Sequence, residues 1–272
     1  MNQLHQESMQ MLKKTSRTFF IPITCLTSRL KETVASAYLC MRAIDEIEDH
    51  EMLENETKSE LLLAISRLLR VRFDESAFQK LIEPYRKKLP DVTIRLGDWL
   101  KLCPTDIVEQ VKSATSEMAE GMAKWAKRNW HIKTKADLDD YTYYVAGLVG
   151  CMLSDVWKWH DNTETDRELA IAFGRGLQAV NMLRNQKEDE ERGVSFMPDN
   201  WDFEDMFNYA KENLHKADQY IKSISSKNIQ LFCKIPLRLA HATLQTLSKG
   251  KEKMSRDEVM AVVHEVKMEV YQ

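Results

Sequence analysis

Glycine and proline, the residues that most often interrupt regular secondary structure, are scarce in this chain of 272 residues, with 8 glycines and 6 prolines. No segment alternates polar and apolar residues at a period of two, which is the pattern of a half-buried strand. A β-sandwich or a β-barrel is therefore excluded. Leucine, alanine, methionine, glutamate and lysine are abundant instead, and this composition favours helices. We predict an all-α protein.

Cysteines at metal-ligand or redox spacing are also missing. The five cysteines include no CxxC pair, and each lies in or near an apolar run, so we predict reduced, buried thiols. No run of about 18 apolar residues occurs, and residues 1–12 lack the apolar core of a signal peptide. We expect a cytoplasmic protein, with peripheral membrane contact if its ligand is apolar.

Charge of one sign is not in excess. Lysine and arginine number 39 against 42 aspartates and glutamates, for a net charge of −3, so no long-range attraction for nucleic acid is expected. A GxSxG elbow, a P-loop and an HExxH helix are absent. No Pro/Ser/Gly-rich linker and no repeat of roughly 20 to 50 residues divides the chain. We predict one domain over residues 1–272 and no obligate protein partner.

Apolar residues at helical spacing predict a series of helices joined by short turns. Thr105 or Asp106 is expected to cap one of them, and residues 134–137 are expected to cap the next. The predicted helices cover residues 30–53, 58–72, 76–88, 91–101, 106–130, 138–159, 166–189, 203–223, 229–247 and 255–270.

A first acidic segment, Asp45 to Asp49, lies on a helix whose apolar stripe also carries Tyr38 and Arg42. Asp45 and Asp49 are four residues apart and share one helix face. Burying either carboxylate unpaired would cost roughly several kcal/mol, which a metal ion would offset, and Arg42 could then meet an anionic substrate. The alternative is a solvated, generally acidic helix end, and this segment alone does not decide between them.

A second acidic segment, Asn185 to Asp189, lies on a polar helix stripe that favours the metal-binding alternative. Gln178, Asn181, Asn185 and Asp189 recur at steps of three and four residues, with Arg184 beside them. Apolar residues occupy the other faces of this helix, so it is expected to line a polar cavity. If the two helices face one another, their oxygen atoms point into a shared space. Hard oxygen ligands of this kind suit Mg²⁺ rather than zinc, and Mg²⁺ in turn holds a diphosphate.

The chain resembles the squalene/phytoene synthase family, the head-to-head branch of the all-helical prenyl diphosphate enzymes. The matching segments follow the family's order over most of the chain. They are Ser16-Arg17-Thr18-Phe19, Tyr38 with residues 42–49, Tyr141 with residues 145–150, residues 178–189, and Phe196-Met197-Pro198. The resemblance implies a single isoprenoid-synthase helical bundle around a central apolar cavity.

The resemblance also implies roles, position by position. The implied Mg²⁺ ligands are Asp45, Asp49, Asn181, Asn185 and Asp189. Diphosphate would be bound by Arg17, Arg42 and Arg184. The hydroxyls of Tyr38 and Tyr141 would touch the leaving group or an intermediate. Further substrate-binding residues would be Ser16, Phe19, Gln178, Val145, Gly147 and Leu148. Close helix packing is an equally open explanation for the glycine.

Asn185 stands in a slot that the family usually fills with aspartate. Asparagine keeps a carbonyl oxygen but lacks the negative charge. A pair of unit charges about 4 Å apart is worth roughly 4 kcal/mol at an effective dielectric near 20. Even a quarter of that value would change metal occupancy by about tenfold. The family's chemistry begins with metal-assisted departure of diphosphate from an allylic substrate, and a weakened second metal wall would expose the resulting cation to water.

We therefore predict hydrolysis of a prenyl diphosphate, in particular farnesyl diphosphate, to farnesol. The chain also looks similar to bacterial phosphatase-type members of the family, and residues 237–247 lack the aromatic-plus-acidic pattern of many synthases. The first alternative is head-to-head condensation of two prenyl diphosphates to squalene, dehydrosqualene or phytoene, with NADPH needed only for squalene. The second alternative is a catalytically weak prenyl-lipid binding protein. The prenyl diphosphate is the only predicted partner.

Overall fold

A computed structural model describes residues 3–16, 18–191 and 193–272. Within those ranges every regular element is helical and no strand occurs, which confirms the predicted all-α fold. A 3₁₀ turn spans Glu83–Tyr85 and a wide π turn spans Tyr143–Gly147. The α-helices are α1 Gln3–Thr15, α2 Phe20–Thr24, α3 Ser28–Glu48, α4 Asn55–Arg70, α5 Glu75–Ile82, α6 Asp91–Ile94, α7 Leu96–Leu102, α8 Val108–Lys127, α9 Lys135–Thr142, α10 Leu148–Asp161, α11 Arg167–Glu191, α12 Phe203–Lys222, α13 Lys227–Ser248 and α14 Arg256–Tyr271.

The described residues of 1–20 and 27–130 form one compact unit. Helix α3 is in contact with α1, α4, α6, α7 and α8 of this unit, so most of its length is buried. Trp99, Trp125 and Phe78 are fully buried in the same core. Because α3 is packed on several sides, the acidic residues near its C-terminal end are held by a rigid element.

Residues 21–26 and the described residues of 131–272 form a second unit. Helix α11 contacts α9, α10, α12 and α13 in this unit. A Cβ atom on Gly150 would lie 2.1 Å from the carbonyl oxygen of Ala170, and one on Gly174 would lie 2.2 Å from that of Ala146. Only glycine allows backbones to approach this closely, so these two positions fix α11 against the preceding helix. The prediction of one domain over residues 1–272 stays a prediction.

Two of the predicted helices end or are interrupted at points where their apolar pattern continues. The helix predicted over residues 30–53 ends at Glu48, and Asp49 is its C-cap, with its backbone N–H donating to the carbonyl oxygen of Asp45 at 2.9 Å. The helix predicted over residues 91–101 is split into α6 and α7 at Arg95, whose backbone leaves the helical region. Apolar spacing continues through both breaks, so periodicity alone does not reveal them.

The two predicted helix caps have opposite outcomes. Helix α8 begins at Val108 without a side-chain cap, so the prediction of Thr105 or Asp106 in that role is wrong. Thr134 does cap α9: its hydroxyl accepts from the backbone N–H of Asp137, whose carboxylate accepts from the backbone N–H of Thr134 in return. This reciprocal pair is a capping box, and it confirms the second prediction.

No helix among the described residues is long and apolar enough to cross a membrane. All five cysteines are free thiols; Cys25 is half-buried and the other four are buried.

Candidate active site

The last two turns of α3 arrange the first acidic segment around Arg42. The Nη2 and Nε atoms of Arg42 donate to Oε1 of Glu46 at 2.6 and 2.9 Å, and Nη1 donates to Oδ2 of Asp45. The side chains of Arg42 and Asp45 are 30% and 29% exposed. One guanidinium therefore balances two carboxylates, and Glu46 is a partner of Arg42 that the sequence analysis did not identify.

The pKa of Asp45 lies above its ordinary value. Burial is the main cause and the negative charge of Asp49 adds to it, while Arg42 acts in the opposite direction. A nearby cation favours the charged form of such a carboxyl. A divalent cation bound beside Asp45 would lower its pKa in the same direction as Arg42 does.

Glu48 is buried, although it belongs to a stretch that reads as a solvated acidic helix end. Glu48 is only 3% exposed, and its Oε1 atom accepts from Nε1 of Trp130 at 2.8 Å. Burial raises the pKa of Glu48 to about 8, while the bond from Trp130 acts in the opposite direction. The available signal was its spacing, because Met41, Ile44 and Glu48 fall on one buried face of α3.

Tyr38 lies about two helical turns before Asp45, and its hydroxyl donates to the carbonyl oxygen of Thr15 at 3.0 Å. Ser16 is 3% exposed, and its hydroxyl oxygen accepts from the backbone N–H of Phe19 at 2.9 Å. The rings of Phe19 and Tyr38 are 6.3 Å apart. The structure therefore brings Ser16, Phe19 and Tyr38 together in one unit, whereas Arg17 lies outside the described residues.

The polar stripe of α11 spans different environments. Asn181 and Arg184 are exposed, Gln178 and Asn185 are half-buried, and Asp189 is only 8% exposed. The Nε atom of Arg184 donates to Oδ1 of Asn185 at 3.1 Å. The amide oxygen that the resemblance assigns to a metal ion is therefore engaged by a neighbouring cation.

The loop after α11 packs against Asp189. The backbone N–H of Val194 donates to the carbonyl oxygen of Asp189 at 3.0 Å. A cavity of about 20 Å³ remains beside Asp189, lined by residues that include Met182, Phe196 and Met206. Pockets that hold small molecules usually measure at least about 300 Å³, so this one is far too small for a prenyl chain.

Tyr141 is buried near the C-terminal end of α9, and its ring stacks on that of Phe196 with centroids 5.2 Å apart and planes 13° apart. Both residues carry the family resemblance, and the structure brings them into contact. The π turn that follows, Tyr143–Gly147, has the wide geometry often found at functional sites.

Three further residues that are predicted to bind substrate follow in the same region. Leu148 is buried, and Val145 is half-buried within the π turn. A Cβ atom on Gly147 would lie 3.1 Å from Cγ2 of Ile171 on α11. This contact favours helix packing as the reason for the glycine, the explanation that the sequence left open beside substrate binding.

Mg²⁺ fits the donors of the first segment in kind. In proteins this ion keeps several waters and is held by one or two carboxylates together with substrate phosphates. Asp45 and Asp49 offer such a pair. No group of three or more His, Cys, Asp or Glu residues able to hold a metal ion occurs in the part of the chain that the structure describes. The two acidic segments lie in different units, and their predicted shared space stays a prediction.

Comparison with known families settles the affiliation of the chain. The model of the family "Squalene/phytoene synthase" matches residues 12–202, which is more than half of the sequence. The chain belongs to the squalene/phytoene synthase family. This confirms the resemblance carried by the two acidic segments and by the segments around Ser16 and Tyr141.

Curated relatives are similar over most of this chain. The squalene synthase of Schizosaccharomyces pombe is 27% identical over 277 residues, covering 89% of this chain and 59% of that protein. The squalene synthase of Bos taurus is 27% identical over 310 residues, covering 96% of this chain and 72% of that protein. The chain thus spans about three fifths of the length of the first relative.

Solved structures share the fold. A structure titled as a complex of TcSQS with the ligand BPH1237 superposes with a TM-score of 0.80 at 22% identity, covering 97% of this chain and 86% of that chain. A dehydrosqualene synthase in complex with a ligand superposes with a TM-score of 0.68 at 20% identity, covering 98% and 96%. The chain therefore has the all-α isoprenoid-synthase fold that the resemblance implied.

Proposed function

We propose that this protein cleaves the diphosphate from an allylic prenyl diphosphate in a Mg²⁺-dependent reaction, with farnesyl diphosphate as the substrate. The observation that carries the proposal is the end of α3, where Arg42, Asp45 and Asp49 combine a guanidinium with a carboxylate pair. A carboxylate pair suits Mg²⁺, and a guanidinium suits phosphate oxygens. Membership of the squalene/phytoene synthase family supports the same substrate class.

Residues of the first unit would prepare the departure of the leaving group. Asp45 and Asp49 would hold Mg²⁺, which when bound neutralises charge growing on the leaving oxygen. Arg42, now paired with Asp45 and Glu46, would transfer part of its hydrogen bonding to the diphosphate. Tyr38 is held by its bond to Thr15, so its ring is oriented in advance.

Two fates of the allylic cation remain, and different observations favour each. The named relatives are squalene synthases, so the comparisons support head-to-head condensation more directly than hydrolysis. Asn185 favours hydrolysis, because an amide in place of a carboxylate weakens the attraction for Mg²⁺ on α11. Condensation requires two prenyl chains to be aligned and the cation to be shielded from water until the carbon–carbon bond has formed.

We propose hydrolysis to farnesol as the outcome and keep condensation as the second candidate. The predicted lipid-carrier alternative has less support. Asp45, Asp49 and Asp189 are all present, and Asp45 and Arg42 form an ion pair in the structure. A carrier of prenyl lipids would have no use for this charged arrangement.

Product analysis separates the candidates. The purified protein is incubated with Mg²⁺ and farnesyl diphosphate, with and without NADPH, and the organic extract is analysed by gas chromatography and mass spectrometry. Farnesol as the main product in both samples supports hydrolysis. A thirty-carbon hydrocarbon as the main product would refute hydrolysis and support condensation. Binding without turnover would support the carrier, and a matched reaction in EDTA corrects for uncatalysed loss of diphosphate.

A further inference from the structure

The segment after α8 has an unusual backbone. Asn129 and Trp130 have φ angles of 51° and 50°, so two successive residues without a glycine occupy the left-handed region. Asparagine tolerates this conformation, but for a bulky residue such as tryptophan it is an outlier. Strain of this kind persists only where surrounding contacts stabilise it, and it is concentrated at functional sites.

The contacts that stabilise Trp130 and Asn129 come from the end of α3 and the beginning of α4. The indole of Trp130 is 9% exposed and donates from Nε1 to Oε1 of Glu48 at 2.8 Å. The Nζ atom of Lys58 lies 4.9 Å from the centre of the indole ring. Asn55 at the start of α4 donates from Nδ2 to Oδ1 of Asn129 at 2.7 Å, which also stabilises the strained segment.

Glu48 joins this strained segment to the first acidic segment. It lies in the last turn of α3, three residues after Asp45 and directly before Asp49. Its carboxyl points into the core while the residues on either side of it supply the candidate metal ligands. Because the turn is one rigid unit, fixing the Glu48 side chain also fixes the direction in which Asp45 and Asp49 project.

We propose that Trp130 and Glu48 are positioning residues for the Mg²⁺–diphosphate complex, and this inference rests on the proposed function. Neither side chain touches the substrate. The indole N–H holds the Glu48 carboxyl, and the carboxyl holds the last turn of α3 so that Asp45 and Asp49 are arranged before the metal arrives. Partners hydrogen-bonded directly to metal ligands typically change metal affinity by about 10- to 100-fold, and an effect at the lower end of that range is expected for residues that act through the helix turn.

Trp130→Phe tests the hydrogen bond and has a matched control. Phenylalanine keeps an aromatic ring but cannot donate to Glu48. In the control, Trp99→Phe, the fully buried indole of Trp99 loses its hydrogen bond to the carbonyl oxygen of Val92, which measures 2.7 Å and lies in the same unit. Binding of inorganic diphosphate is measured by titration calorimetry at several Mg²⁺ concentrations, together with the thermal unfolding of each variant.

We expect Trp130→Phe to raise the Mg²⁺ concentration needed for half-maximal diphosphate binding by about tenfold. Turnover at saturating Mg²⁺ should change much less than this half-saturation value. Trp99→Phe should lower the unfolding temperature and leave the Mg²⁺ dependence unchanged. Equal Mg²⁺ dependence in the two variants, whether both are shifted or both are unchanged, would show that Trp130 has only a structural role.

Two variants of Glu48 provide the rescue test. Glu48→Gln keeps an acceptor for the indole and should keep most of the Mg²⁺-dependent affinity, whereas Glu48→Ala should lose as much as Trp130→Phe. If Glu48→Gln and Glu48→Ala lost the same amount of affinity, the charge of Glu48 and not its hydrogen bond to Trp130 would be responsible, and the proposal would be overturned. Diphosphate binding can be measured without turnover. A protein that binds diphosphate but does not cleave the substrate would refute the proposed function, and the binding of the variants could still be compared. A wild-type protein that binds no diphosphate in Mg²⁺ would overturn both proposals.

Discussion

The two acidic segments share their spacing but differ in charge and in surroundings. In the first, Asp45 is paired with Arg42 of its own helix, and Asp49 is an exposed C-cap. In the second, Asn185 contributes no charge and accepts from Arg184, and Asp189 is packed beneath a loop. The first segment thus offers two carboxylates to a cation, and the second offers one carboxylate and an amide.

This difference suggests a division of labour. A carboxylate pair with its own arginine can bind Mg²⁺ and a diphosphate within one element, so the first segment suits ionisation of the substrate. Under the proposed mechanism the second segment, with one negative charge fewer, would attract Mg²⁺ less strongly and would influence how well the allylic cation is shielded afterwards. Similar spacing in two segments is therefore no guarantee of similar chemistry.

The largest effect is expected from Asp45→Ala, which removes half of the carboxylate pair. Loss of one metal ligand costs several kcal/mol of transition-state stabilisation, so turnover should fall by about three orders of magnitude. Turnover is measured as the rate at which diphosphate is released from farnesyl diphosphate. The matched control is Glu51→Ala, because Glu51 is an exposed carboxylate just beyond the same helix and should be dispensable. An Asp45→Ala variant that kept wild-type turnover would remove Asp45 from the mechanism.

Gly174→Ala should disturb the packing of α11, the helix that carries the second segment, and lower the free energy of unfolding. Its Cβ atom would lie 2.2 Å from a backbone oxygen, which cannot move aside without shifting a helix. Overpacking of this kind costs about 1 to 3 kcal/mol or more in the free energy of unfolding. Gly147→Ala is the matched control, because its Cβ would meet the side chain of Ile171 at 3.1 Å and should cost less. Chemical denaturation measures both, and equal losses would contradict the packing of α11 described above.

A pH effect is expected from Glu48 in the first segment. Its pKa of about 8 is raised by burial and by Asp49 and Asp45, and is lowered by Trp130 and Lys58. The folded protein therefore binds this proton more tightly than the unfolded chain does. The resulting stability is fully present below about pH 4.5 and is lost as the pH rises through about 8.

Glu48→Gln cannot release a proton and should remove this part of the pH dependence. The free energy of unfolding of the variant, relative to that of the wild type, should therefore increase as the pH is raised from about 6 to about 9. Denaturant unfolding in EDTA at these two pH values measures the difference. Parallel stability curves for the two proteins would show that Glu48 does not titrate in this range.

The smallest effect is expected from Lys187→Ala, within the second segment. Lys187 donates to Oε1 of Glu252 at 2.5 Å, and Lys253 donates to Glu188 at 3.0 Å, so two ion pairs join this segment to the link before α14. Both pairs are well exposed and are therefore weak and screened by salt. The unfolding temperature should fall only slightly at low salt, and still less at high salt. A large loss at low salt would mean that these pairs hold the segment in place.

The sequence predicted α3 and α11 because polar and apolar residues follow one helical period along each of them. The spacing of Glu48 from Met41 and Ile44 indicates a buried position, but the sequence could not predict the partner of its carboxylate, because Trp130 is 82 residues away along the chain. The packing of Asp189 beneath the loop after α11 could not be predicted either, because it also depends on tertiary contacts. The family resemblance assigned both aspartate segments a common role, and only the side-chain contacts revealed how unlike their surroundings are.

The most direct test compares the wild type with Asn185→Asp in one assay. Farnesyl diphosphate is supplied with NADPH over a range of Mg²⁺ concentrations, and farnesol and thirty-carbon hydrocarbon are quantified together. We predict farnesol as the main product of the wild type, and in the variant an about tenfold lower Mg²⁺ requirement with a shift towards hydrocarbon. An unchanged Mg²⁺ requirement and an unchanged product ratio would show that the missing carboxylate does not decide what replaces the diphosphate.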